Sequence, residues 1–260
     1  MGASTLMITA WLWTLSSLAL NPPSAEHALR MSYQEGALHH VLIESTTTVQ
    51  GAAPETIRMR VTRRVLEVKG SRARIETELN ELDFGENDPR NALFSKLEGS
   101  AWRGWVDERG RFEALTLNPP QDLPRLLMPM ARKLQRLLPG RSLPLPQAAQ
   151  RVGDDWLIPA KDLAASPEGS WAKSAEGGLY CTLTDAQTQR ATISMELKAP
   201  LGKQKELSGK GQMVVNLGQG IVESFRLKNR IVLETKVAGD TSRTEITQDY
   251  RLTSRPGVTP

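Results

Sequence analysis

The feature that most constrains the fold is a regular alternation of apolar and polar residues along much of the chain. In segment 191–198 every odd-numbered residue is apolar and every even-numbered residue is polar. A similar alternation runs through 57–62 and 72–79. Because successive side chains of a β-strand point to opposite faces of a sheet, this pattern predicts strands with one buried face and one solvated face.

About eleven such strands follow one another, separated by short polar turns such as 107–110 and 216–220. The alternation breaks at Arg63 and Arg64, which suggests a bulge or a bend. We predict strands at or near these positions: 29–35, 40–49, 57–68, 72–79, 101–107, 111–117, 178–184, 191–198, 210–216, 221–227, 230–237 and 243–252.

One-sided alternation in so many consecutive strands favours a mainly β fold. The expected architecture is a large curved antiparallel sheet or an incomplete barrel, with a two-sheet sandwich left open as the alternative. A transmembrane barrel is disfavoured, because the outward positions carry many Arg, Glu and Lys residues instead of a lipid-facing apolar band.

The N-terminus indicates export. Residues 1–25 contain no charged side chain, whereas the rest of the chain holds all 33 Lys and Arg and all 29 Asp and Glu. The apolar run 6–20 has the length of a signal-peptide core and is short for a membrane-spanning helix. We therefore predict a signal peptide over 1–25 and a periplasmic or extracellular protein, with membrane association left open. The remainder, 26–260, is expected to form a single β-rich domain.

One mid-chain segment has helical periodicity. Asp122 is suited to cap a helix at its start and Pro139-Gly140 to end it, while Pro129 inside the pattern predicts a kink. The spacing predicts a helix over 122–138, followed by a loop-rich connection over 139–177 between two sets of strands. Six apolar residues share one face of this helix: Leu123, Leu126, Leu127, Met130, Leu134 and Leu137.

Composition and motifs exclude several function classes. A formal net charge of +4 and an aromatic content of 5% are not typical of nucleic-acid binding, and we predict no nucleic-acid partner. The phosphate-loop, dinucleotide-binding and serine-hydrolase motifs are incomplete at Gly209, at Gly218 and at Ser170. No cofactor is therefore expected.

Catalytic and metal-binding groups are equally weak in the sequence. His39 and His40 would point to opposite faces of a strand, and we expect solvent-facing side chains there rather than metal ligands. The single cysteine, Cys181, is expected to be a small buried apolar residue. Asp154 and Asp155 are expected in a solvated turn. An enzyme built on Asp154 or His39 is the least favoured class, and we predict no catalytic and no metal-binding residue.

A resemblance adds to this interpretation. Segment 143–146 reads Leu-Pro-Leu-Pro, segment 152–156 reads Val-Gly-Asp-Asp-Trp, and a late Gly-x-Gly hairpin follows at 218–220. Over most of 29–253, the chain resembles an uncharacterised family of secreted bacterial β-proteins. It is also loosely similar to periplasmic lipoprotein-carrier proteins, in which a half-open barrel covered by helices holds acyl chains. That resemblance implies a lipid-like ligand but assigns no residue.

The leading hypothesis is a non-enzymatic exported protein that binds an apolar, lipid-like ligand beneath a helical lid. The alternative is a structural or protein-interaction module of the cell envelope, with an envelope protein as partner. Trp102 and Trp105 flank Gly104 in a predicted strand, where tryptophan typically fills a core. The candidate ligand-binding residues are Leu123, Leu126, Leu127, Met130, Leu134, Leu137, Trp102 and Trp105.

Overall fold

The computed structural model describes residues 25–137, 144–159, 177–200, 205–237 and 240–257. The predicted signal peptide, apart from its last residue, lies outside these residues. So does most of the predicted connection 139–177, of which 144–159 and residue 177 are described.

The described residues form one antiparallel sheet of eleven strands. Its spatial order is β5-β4-β3-β2-β1-β11-β10-β9-β8-β7-β6, so that two meanders meet where β1 pairs with β11. The strands are β1 (Leu38–Val49), β2 (Glu55–Lys69), β3 (Arg72–Asp83), β4 (Ala101–Val106), β5 (Phe112–Asn118), β6 (Asp155–Pro159), β7 (Gly178–Gln187), β8 (Arg190–Pro200), β9 (Lys205–Asn216), β10 (Ile221–Val237) and β11 (Asp240–Pro256).

The helices are short. Between β3 and β4 lie α1 (Arg90–Phe94) and a 3-10 turn (Ser95–Leu97), and after β5 come a second 3-10 turn (Arg125–Leu127) and α2 (Met128–Leu137). The prediction of a mainly β fold with a large antiparallel sheet and a mid-chain helical segment is thus confirmed. Among the described residues, no helix is both long enough and apolar enough to span a bilayer.

The predicted alternation decides which face is buried. In β1, Val41 and Ile43 are buried while His40 is exposed, and in β8 Ala191, Ile193 and Met195 are buried. We call the face that carries these buried residues the inner face. The core consists of inner-face side chains from both meanders, joined by residues from outside the strands, among them Leu29, Leu97 and Leu145.

Three details of the strand prediction are wrong. Segment 29–35 is not a strand of the sheet, because its backbone bonds to turns instead of to a neighbouring strand. Segments 221–227 and 230–237 form one strand, β10, because no turn separates them. The short β6 was missed within a stretch that has loop-like composition. The predicted break at Arg63 and Arg64 lies between two register shifts of β2, at Arg60/Val61 and at Val65/Glu67.

The sheet is strongly curved at the end that carries the turns β2–β3, β4–β5, β7–β8 and β9–β10, here called the lower end. The Met31 amide donates to the Glu108 carbonyl in the β4–β5 turn, and the next amide, Ser32, donates to the Leu217 carbonyl in the β9–β10 turn, each at 2.7 Å. In a flat sheet β4 and β9 would be about 29 Å apart, at about 4.8 Å per strand. Consecutive residues reach both turns, so the lower end must curl into an incomplete barrel.

Candidate functional site

The lower end of the inner face is closed by two crossing segments. Residues 27–33, here called the strap, bond to residues 144–150, here called the floor segment, through a bridge between His27 and Gln150. The Arg30 guanidinium donates to the Pro146 carbonyl and pairs with Glu108 at 3.0 Å. Leu29 of the strap and Leu145 of the floor segment are both fully buried in the core. The site is therefore a cup with a fixed lower end.

The helical segment packs against the inner-face core and is here called the lid. This lid, residues 123–137, packs beside β5 and inserts Leu127, Ala131 and Leu134 into the core. Leu123 and Met130 are half-buried and pack against the same cluster. These contacts place four of the six predicted helix residues on the side of the lid that faces the sheet.

The other two predicted helix residues differ. Leu126 is 79% exposed and faces solvent. Its position follows from the local geometry, since Arg125–Leu127 is a 3-10 turn with about three residues per turn instead of 3.6, which changes the direction of each side chain. Leu137 ends α2, and its side chain lies outside the described part of the chain.

The two tryptophans lie on opposite faces of β4. Trp102 is fully buried on the inner face, opposite Thr77. Trp105 is half-buried on the outer face, where Lys69 and Arg72 each stack over its ring at 5.5 Å. Residues three apart on a strand point to opposite sides, so the structure does not bring these two side chains together.

A row of polar residues crosses the lower inner face. His39 of β1 lies opposite Arg63 of β2, Arg63 opposite Thr77 of β3, and Thr77 opposite Trp102 of β4. His39 and Thr77 are only 5% and 4% exposed. The expectation of a solvent-facing His39 is therefore wrong, because the alternation of β1 turns this residue inward and His40 outward. We call these four residues the polar row.

The nitrogen atoms of the polar row lack partners. Within the described part of the chain, both ring nitrogens of His39, Nη2 of Arg63 and Nε1 of Trp102 are shielded from solvent and form no hydrogen bond. Burial, with a contribution from the nearby Arg63 charge, lowers the pKa of His39 to about 4, so its ring is neutral at physiological pH. Burial also lowers the pKa of Arg63, which remains a cation at neutral pH.

Among the cavities formed by described residues, two open ones lie outside the lid. One of about 290 Å³ adjoins the polar row at the lower end and is lined by 34–39, Gln219, Pro256 and Gly257. A larger groove of about 590 Å³ crosses the outer face of β8–β11 and β1, and its lining includes Lys198, Lys210 and Lys228. The groove carries more basic than acidic side chains, some of them paired, such as Lys198 with Glu196.

The acidic groups weighed for catalysis form local hydrogen bonds, and the thiol is buried. The Asp154 carboxylate accepts from the Arg151 amide within a turn, and that of Asp155 accepts from the Thr182 hydroxyl. Cys181 is buried on β7, and burial raises the pKa of its thiol to about 12. Within the described ranges, no group of three or more His, Cys, Asp or Glu is placed to hold a metal ion.

Sequence reasoning missed Arg63 as a site residue. In β2 the inward positions are 57, 59, 61, 63 and 65, so Arg63 interrupts an otherwise apolar series. The interruption was interpreted as a bulge. An arginine in phase with buried neighbours is itself the signal that would have identified a buried cation.

Comparisons with known proteins address the fold. No protein-family model and no curated protein matches the chain. Among solved structures, the chain is similar to lipovitellin, in a structure described as showing lipid–protein interactions, with a TM-score of 0.55 and 9% identity. The match covers 88% of this chain and 26% of the lipovitellin chain, so this chain spans about a quarter of that protein.

A second solved structure is a LolA superfamily protein from Nitrosomonas europaea. It has 13% identity and a TM-score of 0.22, over 88% of this chain and 90% of the other, and this score carries no argument. The similarity of fold rests on the match to lipovitellin, at a TM-score of 0.55.

Proposed function

We propose that the protein is a non-enzymatic, exported binding protein whose inner sheet face takes up an apolar, lipid-like ligand beneath the lid. The observation that carries this proposal is the shape of the apolar surface. Apart from the polar row, the inner face is largely apolar across both meanders, closed at its lower end by the strap and floor segment, and contacted by a short helical lid, Arg125–Leu127 and Met128–Leu137.

Few of the lid side chains that the structure describes are buried in the core. They are Leu127, Ala131 and Leu134, while Ile57, Ile231 and Leu252 elsewhere on the inner face are only partly buried. A small apolar contact of this kind is easier to open than a large one, because each buried side chain contributes about 1.5–3 kcal/mol. An apolar ligand would replace the lid contacts with its own.

The outer surface of the lid supports delivery from a lipid surface. Leu126 projects into solvent beside the exposed Arg125, and Arg132 is exposed one and a half turns further along. An exposed leucine with neighbouring cations is suited to contact an anionic bilayer surface. The similarity to the lipovitellin fold agrees with a lipid ligand, although at 9% identity it concerns the fold alone.

Native mass spectrometry of the full chain, exported from a bacterial host and purified without detergent, tests the proposal. We expect a stoichiometric mass increase that organic extraction removes and that oleate or phospholipid restores. A protein that stays in its apo mass after both are offered would overturn the proposal.

A matched pair of variants tests the lid itself. Leu134→Glu places a charge at the buried lid contact and should reduce ligand uptake at least tenfold, since a charge at an apolar interface costs several kcal/mol. Gln121→Glu, which adds the same charge at an exposed residue just before the lid, should leave uptake unchanged. Circular dichroism confirms that both variants are folded.

The alternative, an envelope interaction module, is favoured by the groove on the outer face. Its exposed Lys210 and Lys228 would suit an acidic protein partner. Charge reversal at both lysines should abolish partner binding in that case and should not affect lipid content, which separates the two functions.

A further inference from the structure

The guanidinium of Arg63 is a buried cation without a counter-ion. Among the described residues, no carboxylate forms an ion pair with it, and its Nη2 atom has no hydrogen-bond partner. Its guanidinium lies over the ring of Phe112, whose centroid is 5.6 Å from the guanidinium carbon. The nearby Tyr33 hydroxyl donates to the Asp107 carbonyl at 2.9 Å and supplies no negative charge at neutral pH, because burial raises its pKa to about 12.

Buried charges in proteins are generally paired, because transfer of an unpaired ion out of water is costly. Two other arginines of β2 are exposed on the outer face and still have partners, Arg58 with Glu44 at 3.0 Å and Arg60 with Glu81 at 2.6 Å. Arg63 is the inward-facing exception in the same strand. Its missing partner must therefore be sought within the cup.

The neighbours of Arg63 are donors as well. His39, directly opposite on β1, is buried and neutral, and one of its ring nitrogens carries a hydrogen. Trp102, two strands away on the other side, can only donate through Nε1. A buried row with three unused donors and one positive charge matches an anion better than it matches a neutral group.

We propose that the polar row is the anion-binding subsite of the cup and holds the carboxylate or phosphate head group of an anionic amphiphile. This inference rests on the proposed function, because the apolar remainder of the inner face would hold the acyl chain. The planar guanidinium of Arg63 suits the two oxygens of a carboxylate or phosphate. The next inward positions above the row, two residues along β1 and β2, are the buried apolar Val41 and Val61, so the chain of the ligand would run from the polar row toward the lid.

The test compares two amphiphiles with the same chain. Isothermal titration of the full chain with oleate and with oleyl alcohol separates the head group from the acyl chain, and inorganic phosphate alone serves as the chain-free anion. We expect oleate to bind about tenfold more tightly than oleyl alcohol, which is the order of one charge-assisted contact. Inorganic phosphate should compete with oleate but not with oleyl alcohol.

Arg63→Met should abolish the preference for oleate and leave the affinity for oleyl alcohol within about twofold. Arg64→Met is the matched control, because Arg64 is the next residue in β2 and lies exposed on the outer face. It should retain the full preference. Trp102→Phe, which keeps an aromatic side chain but removes the indole N–H, should reduce the preference by a smaller factor.

The outcomes are distinct. Equal binding of both amphiphiles to the unsubstituted protein, or an unchanged preference in Arg63→Met, overturns the anion subsite and leaves the proposed function intact. If phosphate binds in an Arg63-dependent manner and neither amphiphile binds, the anion subsite is retained, with a free anion as its ligand. The proposed function is overturned by that result. Binding of none of the three overturns both.

Discussion

The inner face contains two registered rows of opposite character. One row is apolar and crosses eight strands, from β7 to β3, through cross-strand neighbours: Leu183, Ile193, Met213, Phe225, Leu252, Ile43, Met59 and Leu82. The polar row crosses β1 to β4 and lies four residues away along β1, about 13 Å lower. Both rows are largely buried. Burial stabilises the apolar side chains, whereas the polar side chains require hydrogen-bond partners when they are buried.

This contrast shows that burial alone does not define the core of the cup. In the apolar row, close packing stabilises the fold, as in the edge-on contact of Phe225 with Tyr250, whose ring centroids are 5.6 Å apart. In the polar row, burial leaves polar atoms without partners and destabilises the fold. Loss of a buried side chain from the apolar row should therefore lower the free energy of unfolding, whereas replacement of the unpaired cation of the polar row by an apolar residue should raise it.

The largest effect is expected in the apolar row. Phe225→Ala should lower the free energy of unfolding by about 3–5 kcal/mol, because it removes a buried ring and leaves a cavity. Lys228→Ala, exposed on the outer face of the same strand, should change it by less than about 0.5 kcal/mol. Urea denaturation measures both. Similar values for the two variants would mean that the inner face is not a packed core.

The second effect is a pH dependence that comes from His39. The folded protein holds the pKa of this residue at about 4, below the ordinary value of 6.5, so that the unfolded chain binds a proton more readily between these values. The stability that the neutral His39 ring contributes is fully present above pH 6.5. As the pH falls toward 4, this contribution to the free energy of unfolding is lost and amounts to about 3 kcal/mol. Chemical denaturation at pH 7 and at pH 4.5 should show a smaller loss in His39→Gln than in the unsubstituted protein. His40→Gln, on the outer face, should not alter the loss.

The third effect has the opposite sign to the first. Arg63→Met removes an unpaired buried cation and should raise the free energy of unfolding of the ligand-free protein by about 1–3 kcal/mol. Arg64→Met should change it by less than about 0.5 kcal/mol. Thermal unfolding provides the comparison. A lower melting temperature for Arg63→Met would show that Arg63 stabilises the ligand-free fold, and the contrast between the rows would then fail.

The smallest effect concerns reactivity. Cys181 lies on the inner face of β7 opposite Met195, and its thiol has a pKa raised to about 12 by burial. The native protein should not react with iodoacetamide at pH 8 over hours, whereas the urea-unfolded chain should react at the rate of a free thiol. Rapid labelling of the native protein would indicate that this part of the sheet is open to water.

Much of the fold could be predicted from the sequence, because alternation and turn residues are local signals. The 191–198 pattern and the turns at 107–110 and 216–220 each correspond to elements of the sheet. The strap was misassigned because its extended conformation resembles a strand locally, and only its hydrogen bonds to distant turns distinguish it.

The site was harder to predict, because it depends on register between strands. Nothing in the sequence places His39 beside Arg63 or Arg63 beside Thr77, since pairing of β1, β2 and β3 is a tertiary property. In the lid, too, the sequence pattern predicted only part of the side-chain burial. Leu127 and Leu134 have the predicted burial, but the 3-10 turn that exposes Leu126 is not encoded in the helical spacing.

The strap has a consequence for the order of folding. Its residues leave the ribosome before the rest of the cup, but Ser32 bonds to the β9–β10 turn, which is made near the end of synthesis. The five strands of the first meander can pair with near neighbours as they emerge, and the strap can bond to the β4–β5 turn, whereas its bond to the β9–β10 turn must wait until β10 exists. Closure of the cup is therefore a late, long-range event, and the half-made chain exposes the face that the finished protein encloses.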